Sequence, residues 1–95
     1  MNTDQLDREQ EATNNAVHAK ALRDNPLLNQ VFVALKAGYV EKLTKIKKGK
    51  HYEEQLKDVH DSLQNLMRIE GYIQKCIDDG KVVEERQRKR LFSKQ

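Results

Sequence analysis

Two runs of apolar residues at helical spacing constrain this chain more than any other feature of its sequence. The first run has apolar positions three or four residues apart, at Leu28, Phe32, Leu35, Tyr39, Leu43 and Ile46. The second run follows a short polar stretch and holds Tyr52, Leu56, Val59, Leu63, Leu66, Ile73 and Ile77. Side chains three and four residues apart lie on one face of an α-helix. The two runs therefore predict two amphipathic helices of similar length.

Residues at the ends of these runs predict where the helices begin and end. Asn25 suits the N-cap because its side chain can accept a hydrogen bond from a free backbone N–H, and Pro26 suits the first helical position. Gly49 is expected to close the first helix in a left-handed conformation. The Asp78-Asp79-Gly80 segment is expected to end the second helix.

Antiparallel pairing of the two helices brings their apolar runs into register. If Ile46 faces Tyr52 across the turn, Phe32 lies near Leu66 at the other end of the seam. The sequence therefore predicts an all-α fold, a long antiparallel helical hairpin with a weaker N-terminal helix and a basic C-terminal extension.

One polar residue, Glu70, interrupts the second apolar run. The same register places it opposite Leu28, where a carboxylate could accept from the free N–H groups at the start of the first helix or pair with Arg23. A cap between the helices, or a charge at their rim, is the simpler interpretation. A polar specificity or ligand position is the alternative.

Composition divides the chain into three parts. Residues 1–24 carry a thin apolar stripe that is mostly alanine, which predicts a weak helix or an arm that docks elsewhere. Residues 25–80 form the hairpin core. Residues 81–95 hold six basic residues against two acidic ones and predict a basic tail, helical or disordered.

A second apolar stripe predicts assembly. A two-helix hairpin cannot cover apolar residues on both of its faces, so either the N-terminal helix completes the unit or the hairpin oligomerises. We expect a homo-oligomer or binding to another protein. The expected protein-interaction residues are Val33, Val40, Ile69 and Tyr72 on the hairpin, with Leu91 and Phe92 as anchors in the tail.

No set of residues carries recognisable chemistry. The three histidines, His18, His51 and His60, share no spacing with acids or cysteine that would make a zinc site. Cys76 lies on an apolar stripe and is interpreted as a small hydrophobic residue. We therefore expect no enzyme activity, no cofactor, no metal and no small-molecule substrate.

Basic residues support one alternative function, nucleic-acid binding. They cluster at the hairpin turn and in the tail, at Lys45, Lys47, Lys48, Lys50, Arg86, Arg88, Lys89 and Arg90. Such clusters can neutralise phosphates. Base-reading and stacking residues are missing, however, so a solvated basic surface is the simpler interpretation.

The expected location is the cytoplasm. The first residues lack the basic flank and apolar run of a signal peptide, and nothing approaches the ~18 apolar residues that span a bilayer. With a single cysteine, Cys76, the chain has no intrachain disulfide to form in an oxidising compartment.

Residues 25–83 resemble a group of small helical proteins of tailed bacteriophages and prophages. The resemblance lies in Asn25-Pro26-Leu27-Leu28 followed by Phe32 and Leu35, in the helix from Tyr52 to Ile77, and in Gly80-Lys81. Such proteins are encoded among virion-assembly genes and mostly lack an assigned activity. The resemblance implies a context, virion assembly in the host-cell cytoplasm or association with the virion, rather than a mechanism, and it suggests a phage structural protein as the partner. Our leading hypothesis is a non-enzymatic assembly or adaptor protein. A small inhibitor of a host protein is another possibility.

Overall fold

The computed structural model describes residues 3–93, and three α-helices account for nearly all of them. Helix α1 spans Thr3–Arg23, α2 spans Pro26–Lys45 and α3 spans Tyr52–Ser93. The described residues include no β-strand. The predicted all-α fold with a helical hairpin is confirmed.

The chain forms two compact units. The first, here called the terminal unit, holds the residues up to Asp24 together with those from Tyr72 onward, so it pairs α1 with the second half of α3. The second, here called the hairpin unit, spans Asn25–Gly71 and pairs α2 with the first half of α3. Helix α3 therefore contributes to both units.

The start of α2 follows the predicted capping chemistry. Asn25 has an extended backbone with φ −75° and ψ 115°, and its Oδ1 accepts a hydrogen bond from the Leu28 N–H at 3.0 Å. Pro26 is the first helical residue. The cap thus satisfies one of the free N–H groups at the helix start, which confirms the prediction for Asn25-Pro26.

The end of α2 differs from the prediction. Helix α2 stops at Lys45, and Ile46 leaves it with an extended backbone at φ −71° and ψ 123°. No described glycine has a positive φ, so the left-handed role assigned to Gly49 is wrong. The Gly49 carbonyl instead accepts from the Tyr52 N–H at 3.3 Å, which forms a turn that leads into α3.

The predicted end of α3 is also wrong, because the helix continues through Gly80 to Ser93. A Cβ on Gly80 would overlap the Cβ of Ala16 on α1. The glycine therefore permits close packing of two helices within the terminal unit. Its helical penalty of about 1 kcal/mol relative to alanine is small enough to be offset by that contact.

Helix α1 docks through its small residues. Ala16 and Ala19 are buried, whereas the larger Leu6 and Val17 are 49% and 62% exposed. Small side chains let the backbones of two helices approach closely, and a leucine facing Gly80 would hold them apart. The weak helix expected in residues 1–24 is therefore a helix that packs by an alanine face.

The seam of the hairpin unit contains the predicted apolar residues except Ile73 and Ile77, which belong to the terminal unit. Val59 and Leu66 of α3 are buried, and the remaining predicted residues of this unit are half-buried apart from Leu35, which is 41% exposed. Glu70 has a partner that the sequence did not indicate: its Oε1 lies 2.8 Å from the Lys36 Nζ. The N–H of Leu28, the residue expected opposite Glu70, is bonded to Asn25.

Candidate protein-interaction surface

Helix α2 is unusually apolar for a helix without a buried residue. Residues 26–35, its first half, contain no charged side chain. None of the residues of α2 is buried, however. A helix that is apolar around most of its circumference is normally surrounded by other elements. The surface of α2 is therefore the first candidate for a binding site.

Apolar side chains of α2 lie on both flanks of its seam with α3. With 3.6 residues per turn, Val33, Ala37 and Val40 share one flank, and Val31 and Leu35 share the other. Val33 and Val40 are 68% and 53% exposed, compared with 44% for Val31 and 41% for Leu35. The more open flank, Val33, Ala37 and Val40, is here called the α2 patch.

Charged residues next to the α2 patch are paired within the chain. Lys36 binds Glu70, and Lys45 Nζ lies 2.8 Å from Glu41 Oε1. The Lys42 ammonium lies 5.7 Å from the centre of the Tyr39 ring, at cation–π distance. Exposed ion pairs add little stability. A partner that covers the patch would therefore contact charged side chains that are already paired within the chain.

The other predicted interaction residues are exposed but do not gather in one unit. Ile69, 53% exposed, belongs to the hairpin unit together with the α2 patch. Tyr72, 66% exposed, belongs to the terminal unit, where it lines a groove with Arg8 and Cys76 among others. Leu91 and Phe92 are 70% and 67% exposed in the last turns of α3.

The basic residues fall into two different settings. Lys47, Lys48 and Lys50 are exposed in the turn between α2 and α3. In the tail, Arg86 and Lys89 are three positions apart and share a side of α3, whereas Arg88 points to another side. Three of the four predicted tail bases, Arg86, Lys89 and Arg90, therefore lie on one side of α3, and Arg88 lies on another.

Arg90, one of the residues predicted to contact phosphate, is half-buried in an ion pair with a buried carboxylate. Its Nη2 donates to Oε1 of Glu9, which is only 5% exposed. The Thr13 hydroxyl donates to the backbone carbonyl of Glu9 at 2.9 Å. Glu9 and Arg90 are 81 positions apart. Nothing in the sequence near either residue indicates the other as its partner, so the contact could not be predicted from the sequence.

Grooves of the terminal unit are lined by charges of both signs. One of them, of about 590 Å³, lies between α1 and α3 and is lined by Asp4, Gln5, Arg8, Glu9, Ala12, Asp79, Val82, Val83 and Arg86. This lining favours neither anions nor cations.

Within residues 3–93, no cluster of His, Cys, Asp or Glu side chains is arranged to hold a metal ion. None of the helices in that range has an apolar stretch long enough to cross a membrane.

Comparison with known proteins assigns no family to the chain. No protein-family model matches it, and neither does any curated protein sequence or any solved structure.

Proposed function

We propose that this protein is a non-enzymatic helical assembly module that binds a second copy of itself through the α2 patch. The observation that supports the proposal most directly is the exposure of Val33 and Val40 on a helix with no buried residue. Covering one exposed valine completely stabilises an assembly by at most about 1.5–3 kcal/mol. A symmetric pair would cover four such valines.

The small core of the hairpin unit also supports self-association. Among its described residues, only Val59 and Leu66 are buried. Small domains with little buried apolar surface commonly depend on oligomerisation for stability. This argument favours a second copy of the chain as the partner. The α2 patch of each copy is exposed, and the α2 patch of a second copy can cover it.

The phage setting is a further part of the proposal. It is supported by the resemblance of Asn25-Pro26-Leu27-Leu28 and the following helices to small proteins encoded among virion-assembly genes. In that setting a virion component could replace the second copy on the α2 patch. The interaction would serve assembly, with no catalytic chemistry assigned to either partner.

Measurement of molar mass over a concentration series tests the proposal. Wild-type protein is expected to show the mass of a dimer or larger assembly by light scattering, falling toward 11.1 kDa on dilution. Val33→Glu combined with Val40→Glu should give a monomer that stays helical, because glutamate is a better helix former than valine.

A matched control separates the patch from a general effect of charge. Gln55→Glu combined with Gln64→Glu adds the same two negative charges at exposed positions of α3. This variant should retain the wild-type mass. A wild-type monomer at every concentration, or an assembly that survives both glutamates in the patch, would contradict self-association through α2.

Nucleic-acid binding is the second candidate, and the exposure of Lys47, Lys48 and Lys50 in one turn favours it. Phosphate contacts made by lysine weaken steeply with salt. A gel-shift series at increasing salt, repeated with all three lysines changed to glutamine, measures their contribution. Absence of binding near ~100 mM salt would remove this candidate.

A further inference from the structure

We infer that two copies pair antiparallel along α2, about a twofold axis beside Ala37, so that Val33 contacts Val40 of the partner subunit. The inference rests on the proposed self-association and adds its geometry. A twofold interface requires one surface to be complementary to itself: if residue i contacts residue j, then j contacts i. The α2 patch meets this requirement.

The sequence of the patch is nearly symmetric about its centre. Val33 lies four residues before Ala37 and Val40 lies three residues after it. Asn29 and Thr44, both exposed and polar, extend the same flank at its two ends. In an antiparallel pair, valine therefore lies against valine, and the polar residue at one end of the flank lies against the polar residue at the other end in the partner subunit. The small side chain at the centre permits an interaxial distance near the lower limit of about 8 Å.

Charge distinguishes antiparallel from parallel pairing. Residues 26–35 are uncharged, whereas residues 36–45 hold Lys36, Lys42 and Lys45 against Glu41. In a parallel pair the two lysine-rich halves would lie side by side. In an antiparallel pair each lysine-rich half lies along the uncharged half of the partner subunit, and the helix dipoles also oppose one another favourably.

Two charged residues, Lys36 and Glu41, border the α2 patch, and both are paired within the chain. Glu41 binds Lys45 on the same helix, and the Lys36 ammonium lies 2.8 Å from Glu70 on α3. The Lys36 charge is therefore directed toward the hairpin seam and neutralised there. Burial of the neighbouring valines consequently leaves no isolated charge at the interface.

Charge pairing at positions 33 and 40 tests the geometry. Val33→Lys alone and Val40→Glu alone should each weaken self-association at least about tenfold, because each buries a charge against a valine. The two changes combined in one chain should restore association to within about tenfold of wild type, because lysine at 33 then faces glutamate at 40 of the partner subunit. In a parallel pair, residue 33 would face residue 33 of the partner subunit and residue 40 would face residue 40. The same variant would then place like charges together, and association would not be restored.

The outcomes separate this inference from the proposal on which it rests. If neither single change alters the dissociation constant measured by sedimentation, the α2 patch is not the interface and both are overturned. If both single changes weaken association and the combined variant does not recover, self-association stands and the antiparallel geometry is overturned.

Disulfide trapping gives a second readout in a Cys76→Ala background. Opposed Cα atoms within about 7 Å can form a disulfide. A chain with Val33→Cys mixed with a chain with Val40→Cys should cross-link on oxidation. Val33→Cys alone should not, since copies of residue 33 lie about 10 Å apart along antiparallel helices. Cross-linking of the Val33→Cys chain alone, without the mixed product, would overturn the inference.

Discussion

The Cβ of Ala16 on α1 occupies the space that a side chain on Gly80 of α3 would need. An added Cβ at residue 80 would overlap it and would also lie 3.7 Å from the backbone oxygen of Ala12. The distance to the Ala12 oxygen is an ordinary van der Waals contact, whereas the Cβ of Ala16 is fixed to its backbone and cannot rotate away from the overlap. Within the terminal unit, the distance between α1 and α3 is therefore limited by the smallest side chains on each helix.

Gly80→Ala is accordingly expected to destabilise the protein, although alanine is the better helix former. Overpacking of a tight contact costs about 1–3 kcal/mol, which exceeds the gain of about 1 kcal/mol in helix propensity. Gly71→Ala in the same helix is the matched control, because its Cβ would meet nothing within 4 Å. Thermal unfolding followed by circular dichroism should show a lower midpoint for the first variant and a higher one for the second. Equal shifts would contradict the packing role of Gly80.

Arg90→Ala is expected to destabilise the terminal unit by leaving Glu9 buried without its partner. Breaking a fully buried pair costs about 3–5 kcal/mol, and the partial exposure of Arg90 reduces the expected cost to about 1–3 kcal/mol. Urea denaturation measures it. Arg88→Ala, at an exposed position of the same segment, should change stability by less than about 0.5 kcal/mol.

Replacing both members of this ion pair should be far less harmful than replacing one. Glu9→Met combined with Arg90→Met removes both charges of the pair, and apolar replacement of a buried pair is often neutral. A double-mutant cycle should therefore give a favourable coupling between the two residues. Additive losses in the cycle would show that the contact contributes no coupling energy.

Leu66→Ala should be the most damaging single truncation in the hairpin unit. The side chain is 5% exposed, and a buried leucine shortened to alanine usually costs about 2–5 kcal/mol. The neighbouring Met67 is 61% exposed, so Met67→Ala should cost much less. Chemical denaturation of the two variants compares them directly, and similar losses would contradict the position of Leu66 in the seam.

Asn25→Ala should cost about 1 kcal/mol by removing the cap at the start of α2. The Oδ1 of Asn25 is the acceptor for the Leu28 N–H, and alanine offers none. Asn25→Asp retains an acceptor at that position and should remain close to wild type. The difference in unfolding free energy between these two variants isolates the hydrogen bond. A loss of equal size in both would show that the side-chain acceptor is unimportant.

Much of the hairpin unit was predictable because it depends on interactions between near neighbours in sequence. The cap at Asn25, the helical start at Pro26 and the apolar face that includes Val59 and Leu66 are properties of spacing and side-chain type. Apolar exposure of Val33 and Val40 followed from the same pattern, since one seam cannot cover two stripes. Such local rules do not require knowledge of distant residues.

The amino-acid sequence by itself thus determined the helical class, the start of α2 and the part of the hairpin seam that lies between Leu28 and Leu66. Only the tertiary structure decided that α3 continues through Gly80, that α1 docks by Ala16 and Ala19, and that Glu9 binds Arg90. The reason is that the local sequence, two acids followed by a glycine, is the same whether the glycine ends a helix or allows another helix to pack closely against it. The choice depends on Ala16, which lies far away along the chain and is brought close only by folding.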